Sequence, residues 1–396
     1  MSEFKIRKLT DRAGTGAPNF THGFNINGSD SGLIGVTHTE GSSEPSSSSN
    51  GDTWWDTGND KYYVYIDGEF KEYAITASGP FYYGNRGFRA GGAGANNNID
   101  YYDISTLGNM SDFGNLTRNF QRGAGASNGT RALFMGGSNG TGAGNNIHGT
   151  SNYTNVIDYI TCATTGNATD YGDASGVSID SAAVSDATTA VHYLSVVDGV
   201  NPGTNSDKLD KHTIDTTGNA TDFGNLTQVG WVNGDCGVSN GTRGLFAGGA
   251  AYSNPWGATN PIDYITIATP GNSTDFGDLS QAKQGFPGVG SGTSGRGIWA
   301  GGYTNTYVNA IDYVTISTTG NAADFGDLTG STDSTGMYQI GAAHNATRGV
   351  FHYGGTSTGQ NTMSYITMAT TGNSADFGDQ LTTNNTYARA TSGAAS

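Results

Sequence analysis

The chain of 396 residues has few cysteines and no long apolar run, and each shortage excludes a class of protein. Its two cysteines, Cys162 and Cys236, show no Cys-x-x-Cys or Cys/His spacing. Neither a disulfide framework nor a zinc site is predicted, and both are expected to be buried thiols. No apolar stretch approaches the roughly 18 residues of a membrane helix, and the N-terminus lacks the apolar core of a secretion signal. We therefore expect a soluble protein that is not exported by a signal peptide.

Positive charge is also scarce, because 18 Lys and Arg face 34 Asp and Glu, which gives a formal charge of -16. A net negative chain repels polyanions, so we predict no nucleic-acid partner and no anionic membrane surface as a partner. Charged residues make up only 13% while aromatic residues make up 11%, and this balance argues against a disordered chain. Glycine, with 64 residues, is the abundant residue that needs a structural explanation.

A segment of the form GNxxDFGD occurs six times, with small variations, every 49 to 58 residues. Its copies begin at Gly108, Gly166, Gly218, Gly271, Gly320 and Gly372. Each repeat has the same order, which is clearest in the fourth: NGT, then RGLFAGG, a variable loop, IDYITIATPG and NSTDFGDL. Four short strand-like runs per repeat, with apolar and β-branched residues on both faces of the IDYIT strand, predict sheets that are buried on both faces.

A four-stranded sheet of about 50 residues is covered on both faces most simply by copies of itself stacked around an axis. The sequence therefore predicts an all-β fold, a six-bladed β-propeller over residues 79–396. A parallel β-helix is the alternative, but its coils are usually about 20 to 30 residues long. The tail after Leu381 is expected to pair with the first repeat, in competition with residues 74–85, and the third repeat, with AVHYLSVVDG from Ala190, is expected to be deformed or specialised.

Glycine doublets are predicted to end a strand in each repeat that has one, through positive φ or close contact between blades. The doublets are Gly91-Gly92, Gly136-Gly137, Gly248-Gly249, Gly301-Gly302 and Gly354-Gly355. An apolar strand that ends in Gly-Gly and is followed by another strand and an aromatic residue resembles the blades of kelch and galactose-oxidase-like propellers. Here the Phe of DFGD stands in place of the usual spaced Tyr and Trp, and the copper site of galactose oxidase does not map onto the sequence. The resemblance implies the fold and no activity.

Residues 1–78 lack the repeat. Their Ser-rich stretch, residues 41–52, is expected to be a flexible or extended linker, and residues 53–56 and 62–66 are expected to form a small aromatic hairpin. GDTWWDTGNDKYYVY resembles the GDxWxDxxNxxxYVY element of bacteriophage tail fibres and other virion proteins. FKIRKLTDRAGTGAPNF and the GNATDFGD repeats are likewise similar to structural proteins of tailed phages, especially those that infect cyanobacteria and marine bacteria.

These resemblances imply a virion structural protein. We expect a tail fibre or appendage component whose segment 1–78 binds other virion proteins and whose propeller, residues 79–396, contacts host-surface glycan. A capsid decoration or head-fibre protein is the alternative; a glycan-active enzyme and a cellular kelch-like adaptor are further hypotheses. By analogy with phage appendages, a homo-oligomer of threefold or sixfold symmetry is expected in the particle. The candidate attachment residues are Trp54, Trp55, Tyr63, Tyr65 and Phe70.

The motifs that could carry chemistry favour structural roles. DFG without a Gly-rich loop, a strand lysine and an HRD loop is not a kinase motif, so its aromatic residues are predicted as core between blades and its Asp residues as turn caps. The Asp pairs offer too few oxygens for calcium, and the histidines share no repeat position. No Ser/His/Asp signature or acid-base pair is present. We therefore predict no enzyme, no metal and no cofactor.

The loops before the IDY strands vary most in sequence and are rich in Asn, Ser, Gly and aromatic residues. Aromatic faces stack and amides form hydrogen bonds, so this composition suits contact with carbohydrate or protein. The alternative is that they are simply polar loops. The candidate recognition residues are Tyr153, Tyr252, Trp256 and Tyr307.

Overall fold

The computed structural model divides the chain by its internal contacts into two units, residues 1–79 and 80–396. It describes residues 37–57, 61–66, 68–72, 84–93, 96–139, 153–195, 206–228, 230–231, 234, 236–251, 257–291, 295–329, 341–354, 361–381 and 387–393. Regular structure in these ranges is β-strand throughout. No helix long and apolar enough to cross a membrane occurs among them.

The described part of the first unit is one four-stranded sheet. Its strands, in spatial order, are β1 (His38–Gly41), β2 (Thr53–Asp56), β3 (Lys61–Ile66) and β4 (Glu69–Glu72), with β1 parallel to β2 and the others antiparallel. The predicted hairpin is confirmed as β2 and β3. The Ser-rich stretch differs from the linker prediction, because it joins β1 to β2 inside this sheet, and a parallel pair needs such a crossover. The Asp52 carboxylate fixes its end by accepting the N–H groups of Thr37 at 2.8 Å and Ser49 at 2.7 Å.

The described part of the second unit contains one antiparallel sheet for each of the six repeats, in which each strand is hydrogen-bonded to the next. The first sheet has β29 (Arg389–Gly393), β5 (Arg86–Ala90), β6 (Asn98–Asp103) and β7 (Ser111–Asn115). The second has β8 (Ala124–Ser127), β9 (Arg131–Met135), β10 (Thr154–Thr161) and β11 (Thr169–Ser178). The third has β12 (Ala183–Ser185), β13 (Thr189–Tyr193), β14 (Lys208–Thr213) and β15 (Thr221–Asn225).

The remaining three sheets follow the same order. The fourth has β17 (Val238–Ser239), β18 (Arg243–Ala251), β19 (Gly257–Thr266) and β20 (Thr274–Asp278), and β16 (Gly230–Trp231) pairs with the far end of β18. The fifth has β21 (Gly288–Ser291), β22 (Arg296–Ala300), β23 (Ala310–Thr315) and β24 (Ala323–Asp327). The sixth has β25 (Gly341–His344), β26 (Arg348–His352), β27 (Thr362–Thr367) and β28 (Ala375–Asp379). The four strands of each repeat were predicted, and they are confirmed.

The first strands of the six sheets contact one another in cyclic order. β8 contacts β12, β12 contacts β17, β17 contacts β21, β21 contacts β25, β25 contacts β29, and β29 contacts β8. The predicted docking of the C-terminal tail is confirmed, since β29 pairs with β5 and places Thr391 opposite Phe88. The third strands are covered on both faces, as predicted: in β23 the neighbouring residues Ile311 and Asp312 point to opposite faces and are both buried.

The GNxxDFGD segment joins each repeat to the next. In the fifth repeat the N–H of Asp327 donates to Asn373 Oδ1 of the sixth at 3.0 Å, while Gly372 N–H and Ser374 N–H donate to the carbonyls of Phe325 at 2.7 Å and Asp327 at 2.9 Å. Three equivalent bonds occur at all six junctions, including the one from the sixth repeat back to the first, where Gly108 N–H donates to Phe377 O at 3.0 Å. The prediction that DFGD is a turn with Asp caps is therefore wrong. The segment is the fourth strand, and the next repeat covers its open edge.

Arginine side chains form a second link between repeats. Arg296 lies 4.5 Å above the ring of Tyr313 in its own sheet and donates from Nη1 to the carbonyl of Met368 in the next repeat at 3.1 Å. Arg86, Arg131, Arg243 and Arg348 repeat both contacts. The third repeat has Thr189 instead, which is one way in which it departs from the others.

The aromatic residues of the DFGD copies are buried, as predicted, with 2–3% of each exposed. They are Phe113, Tyr171, Phe223, Phe276, Phe325 and Phe377. Positive φ is confirmed at both residues of four Gly doublets, while Gly355 of the fifth lies outside the described residues. Both cysteines are buried free thiols, and burial raises the pKa of Cys162 to about 12.

Candidate functional site

Antiparallel order places two connections at the same end of every sheet: the one between the second and third strands, and the one that leads to the first strand of the next repeat. We call this the variable end. Tyr153 and Tyr307, two of the predicted recognition residues, lie there in the second and fifth repeats and are partly buried. Tyr252 and Trp256 lie outside the described residues. Since the second and fifth repeats are three steps apart in either direction of the cyclic order, Tyr153 and Tyr307 do not share a site.

Tyr307 belongs to a tight turn in the fifth repeat. Its ring centroid lies 5.2 Å from that of Tyr303 at an interplanar angle of 61°, and the two residues form a β-bridge. Asn305 between them has φ +100°, and Tyr303 also bridges to Gln284. The turn is therefore a compact aromatic pair that is fixed by backbone bridges on both sides of Tyr303.

A more unusual group lies where three successive first strands begin. The same position is involved in the first, second and third repeats. It stands three residues before the first-strand residue that lies, across the second strand, in line with the Asp of the third strand. The residues at this position are Tyr387, Arg122 and Asp180. All three have positive φ, at +71°, +61° and +51°. Of the described non-glycine residues, only Asn305 shares this property. At the equivalent position of the fifth repeat the residue is Gly285, with φ +72°.

The backbones and side chains of these residues meet. Arg122 N–H donates to Tyr387 O at 2.8 Å, and Asp180 N–H donates to Arg122 O at 2.6 Å. Arg122 forms a two-point ion pair with Asp180, through Nε at 2.7 Å and through Nη2. Arg122 also lies 5.1 Å above the ring of Tyr387. Arg389, fully buried, places Nη2 3.8 Å from the Asp180 carboxylate and donates from Nε to Gly123 O at 2.7 Å.

Tyr153 belongs to the same group. Its pKa is raised, first by burial, with opposing effects from the charges of Arg122 and Asp180 nearby. It forms a bridge with Ser138, which in turn bridges to Gln121, and it packs against Ile179. We call Tyr153, Arg122, Asp180, Tyr387 and Arg389 the rim cluster.

Sequence reasoning found only Tyr153 of the rim cluster. The signal that was available is the comparison of equivalent positions: the fourth and fifth repeats have Gly where the first three have Tyr, Arg and Asp. Such a residue in the left-handed region is informative, because strained backbone tends to occur at functional sites.

The six first strands also line one interior space of about 50 Å³. Small apolar residues from all six repeats line it, and one from each is Gly125, Ala183, Val238, Gly288, Ala342 and Ala390. Ligand pockets are typically about 300–1,000 Å³, so this space fits ordered water and not a sugar. A large ligand therefore does not fit in this space.

The third repeat contains a buried group that superficially looks catalytic. Ser178 Oγ lies 3.3 Å from His192 Nε2, and the rings of His192 and His212 are 6.1 Å apart. Burial lowers the pKa of His212 to about 4, and burial together with His212 lowers the pKa of His192 well below its ordinary value. All three side chains are closed off from solvent, so no substrate reaches the serine. The group is packing within the sheet.

In the first unit, the predicted attachment residues fall on two faces of the sheet. Trp54, Tyr63, Tyr65 and Phe70 share one face: Trp54 stacks on Tyr63 at 4.9 Å, and Phe70 meets Trp54 at 5.6 Å and Tyr65 at 5.0 Å. Trp55 points to the other face. Trp54 is buried, and the other four are partly buried. The aromatic face is thus one packed cluster of four rings.

Comparison of the sequence with protein-family models and with curated proteins gives no match. Across the part of the chain that the structure describes, no three His, Cys, Asp or Glu side chains converge as a metal site would require. The strongest candidate site is therefore the rim cluster, which combines strained backbone, paired charges and aromatic rings.

Proposed function

We propose that residues 80–396 form a six-bladed β-propeller that acts as a rigid binding platform in a virion structural protein. The observation that carries the proposal is the cyclic order of the six sheets, completed by β29 in the first sheet. A strand from the C-terminus in the sheet of the first repeat joins the two ends of the repeat array, as ring closure requires. The hydrogen bonds at all six junctions support the same arrangement.

Binding, and not catalysis, is the proposed activity. Ring closure fixes the sheets, while the variable end carries the loops that differ between repeats, and a rigid scaffold with variable loops is typical of recognition proteins. The aromatic and polar character of this end, in the rim cluster and in the Tyr303/Tyr307 pair, suits contact with a host-surface glycan. No metal or cofactor has a role in this proposal.

The proposed place in a virion rests on the sequence of the first unit. Its GDTWWDTGNDKYYVY segment, similar to elements of phage tail fibres, contains β2 and most of β3, the two central strands of the aromatic sheet. We propose that this unit binds other virion proteins, in a homo-oligomer, through Trp54, Trp55, Tyr63, Tyr65 and Phe70. A tail fibre or appendage is the proposed position; capsid decoration is the competing outcome.

The test is electron cryomicroscopy and mass spectrometry of the particles of the virus that encodes this chain. We expect the chain among the particle proteins and six-bladed discs on the tail or fibres with the variable end outward. Discs on the capsid shell would favour a role in capsid decoration over a role in host adhesion. Absence of the chain from particles would refute the virion proposal, and a density with another number of blades would refute the propeller.

A further inference from the structure

The connection that leads from the fourth repeat to the fifth carries a buried lysine beside a buried carboxylate. Lys283 is fully buried, and its Nζ lies 2.9 Å from Oδ2 of Asp312, the buried Asp of β23. Only 2% of the Asp312 side chain is exposed. Among the described residues, no further hydrogen bond reaches either of these two atoms. The amine and the carboxylate therefore face each other, away from solvent.

The two groups are held from different repeats. Lys283 N–H donates to Thr259 O at 3.1 Å, and Gly249 N–H donates to Lys283 O at 3.1 Å, so the fourth repeat fixes the backbone of the lysine. Asp312 lies in β23 of the fifth repeat, which is paired on both sides, with β22 and β24. Two groups that are held in contact in this way react much faster than the same groups do when they are free in solution.

The third-strand Asp also has a cationic partner in the first and second repeats, but there the cation is a guanidinium. Arg89 Nη1 lies 2.8 Å from Asp100, and Arg118 Nε lies 4.0 Å from Asp158. A guanidinium keeps its proton in proteins, whereas a lysine can lose its proton when it is buried. Burial lowers the pKa of Lys283, and the nearby carboxylate opposes this effect. Of these three cations, only Lys283 can become a nucleophile.

The surroundings favour a neutral product over the ion pair. The ring of Phe286 lies 5.0 Å from Nζ of Lys283, so the ammonium group is covered by an apolar surface as well as by protein backbone. The desolvation of two buried charges offsets most of their attraction. A reaction that converts both groups into one neutral amide removes that desolvation cost.

We propose that Lys283 and Asp312 become joined by an isopeptide bond between Nζ and Cγ, which links the fourth repeat covalently to the fifth. A proton passes from Nζ to Oδ2, and the neutral amine attacks Cγ. Ser280 Oγ donates a hydrogen bond to Oδ1 and stabilises the negative charge that develops there. The Cγ–Oδ2 bond then breaks, and Oδ2 leaves as water with two of the ammonium protons, while the third stays on the amide nitrogen. No oxidant or other reactant is consumed.

The test is mass spectrometry of the denatured full chain, beside the Lys283→Arg variant. Arginine keeps a positive charge next to Asp312 but does not form the amide, and a melting curve checks that the variant folds. We expect the parent chain to weigh one water molecule less than its sequence requires. The variant should have its full calculated mass.

Digestion with trypsin locates the bond. An unlinked chain releases three peptides from this region, residues 244–283, 284–296 and 297–348. The isopeptide bond blocks cleavage after Lys283 and joins the first two of these peptides, uncut, to the third. We expect this branched product from the parent chain and three separate peptides from Lys283→Arg.

Other outcomes overturn the proposed bond. A parent chain with its full mass, or one that releases residues 284–296 completely, would show that the bond does not form. A loss of water that persists in Lys283→Arg would place the dehydration elsewhere in the chain. In Ser280→Ala the linked fraction soon after synthesis should be lower than in the parent chain, and an equal fraction would overturn the role of the hydroxyl. The proposed function as a binding platform does not depend on the bond and stands in each of these cases.

Discussion

The close approach of each fourth strand to the next repeat is a feature that a single methyl group should disrupt. At the junction of the fifth and sixth repeats, Gly326 has φ +144°, and a Cβ there would lie 2.4 Å from the carbonyl oxygen of Gly372. Gly372 has a similar φ of +155°, but a Cβ there would meet nothing within 4 Å. Gly326→Ala and Gly372→Ala therefore share a backbone strain and differ in the collision with the neighbouring repeat.

The hydrogen bonds at the junction set the expected difference in the free energy of unfolding between the two variants. Strain at such φ values costs about 1–3 kcal/mol in either variant. Gly326→Ala must also displace the turn that forms three hydrogen bonds across the junction, and each is worth about 0.5–1.5 kcal/mol. We expect Gly326→Ala to lower the free energy of unfolding by roughly 1.5–4.5 kcal/mol more than Gly372→Ala does.

The assay is urea unfolding of both variants and the parent, followed by tryptophan fluorescence and circular dichroism. A second matched pair lies one junction earlier: a Cβ on Gly277 would lie 2.5 Å from Gly320 O, while Gly320 has open space. The same order of stabilities should appear there. Equal losses for the two members of each pair would refute the idea that the junctions depend on close backbone approach.

Two further predictions concern the closure of the second unit and its buried histidines. Removal of residues 389–396 takes away β29, its pairing with β5 and its contacts with β8 and β25, so the melting temperature should fall by at least about 10 °C. A control chain that ends at Gly393 keeps β29 and should melt at the same temperature as the full chain. An unchanged melting temperature after the longer truncation would contradict cyclic closure. Burial lowers the pKa of His212 to about 4 and that of His352 to about 3, so below pH 6.5 the unfolded chain binds more protons than the folded protein does. The contribution of these histidines to the free energy of unfolding should be fully present above about pH 6.5 and should fall towards pH 4, by about 3 kcal/mol for His212. Asp158 and Asp210 should partly oppose this loss, because burial raises the pKa of both carboxyl groups. Unfolding midpoints in urea between pH 7.5 and 4.5 check this, and a constant midpoint would contradict it.

The strand order could be predicted from the sequence because a similar series of four strand-like segments recurs along the chain. Six repeats, five with an apolar strand that ends in Gly-Gly and four with an IDY strand, leave little freedom in the sheet order, and the tail around Arg389 resembles the other first strands closely enough to be assigned. The burial of the DFGD aromatics followed from the same repetition. A single repeat would not have been enough to predict either the strand order or the burial of the aromatic residue.

The error over DFGD has a physical cause. A five-residue segment with a glycine at positive φ has the local composition of a turn. It pairs with the third strand of its own repeat through a register shift, as between Ile311 and Asp312, and its other edge is hydrogen-bonded to the following repeat. The composition of the segment alone shows neither of these partners. The rim cluster was missed for a related reason: Arg122 and Tyr387 meet only because β29 returns to the first repeat.

The third repeat departs from the common pattern in its contacts with the fourth. The third repeat lacks the arginine link, but its junction with the fourth keeps the three backbone bonds, and Thr227 also donates to the buried Asp263 carboxylate from N–H at 2.8 Å and from Oγ1 at 2.7 Å. Three of the four described non-glycine residues with positive φ occur in this same third repeat and in the two before it in cyclic order, and the fourth, Asn305, lies in the fifth repeat. Since natural sequences break local rules mainly where function requires it, the side of the unit that carries Asp180, Arg122 and Tyr387 is the side on which to look for a ligand.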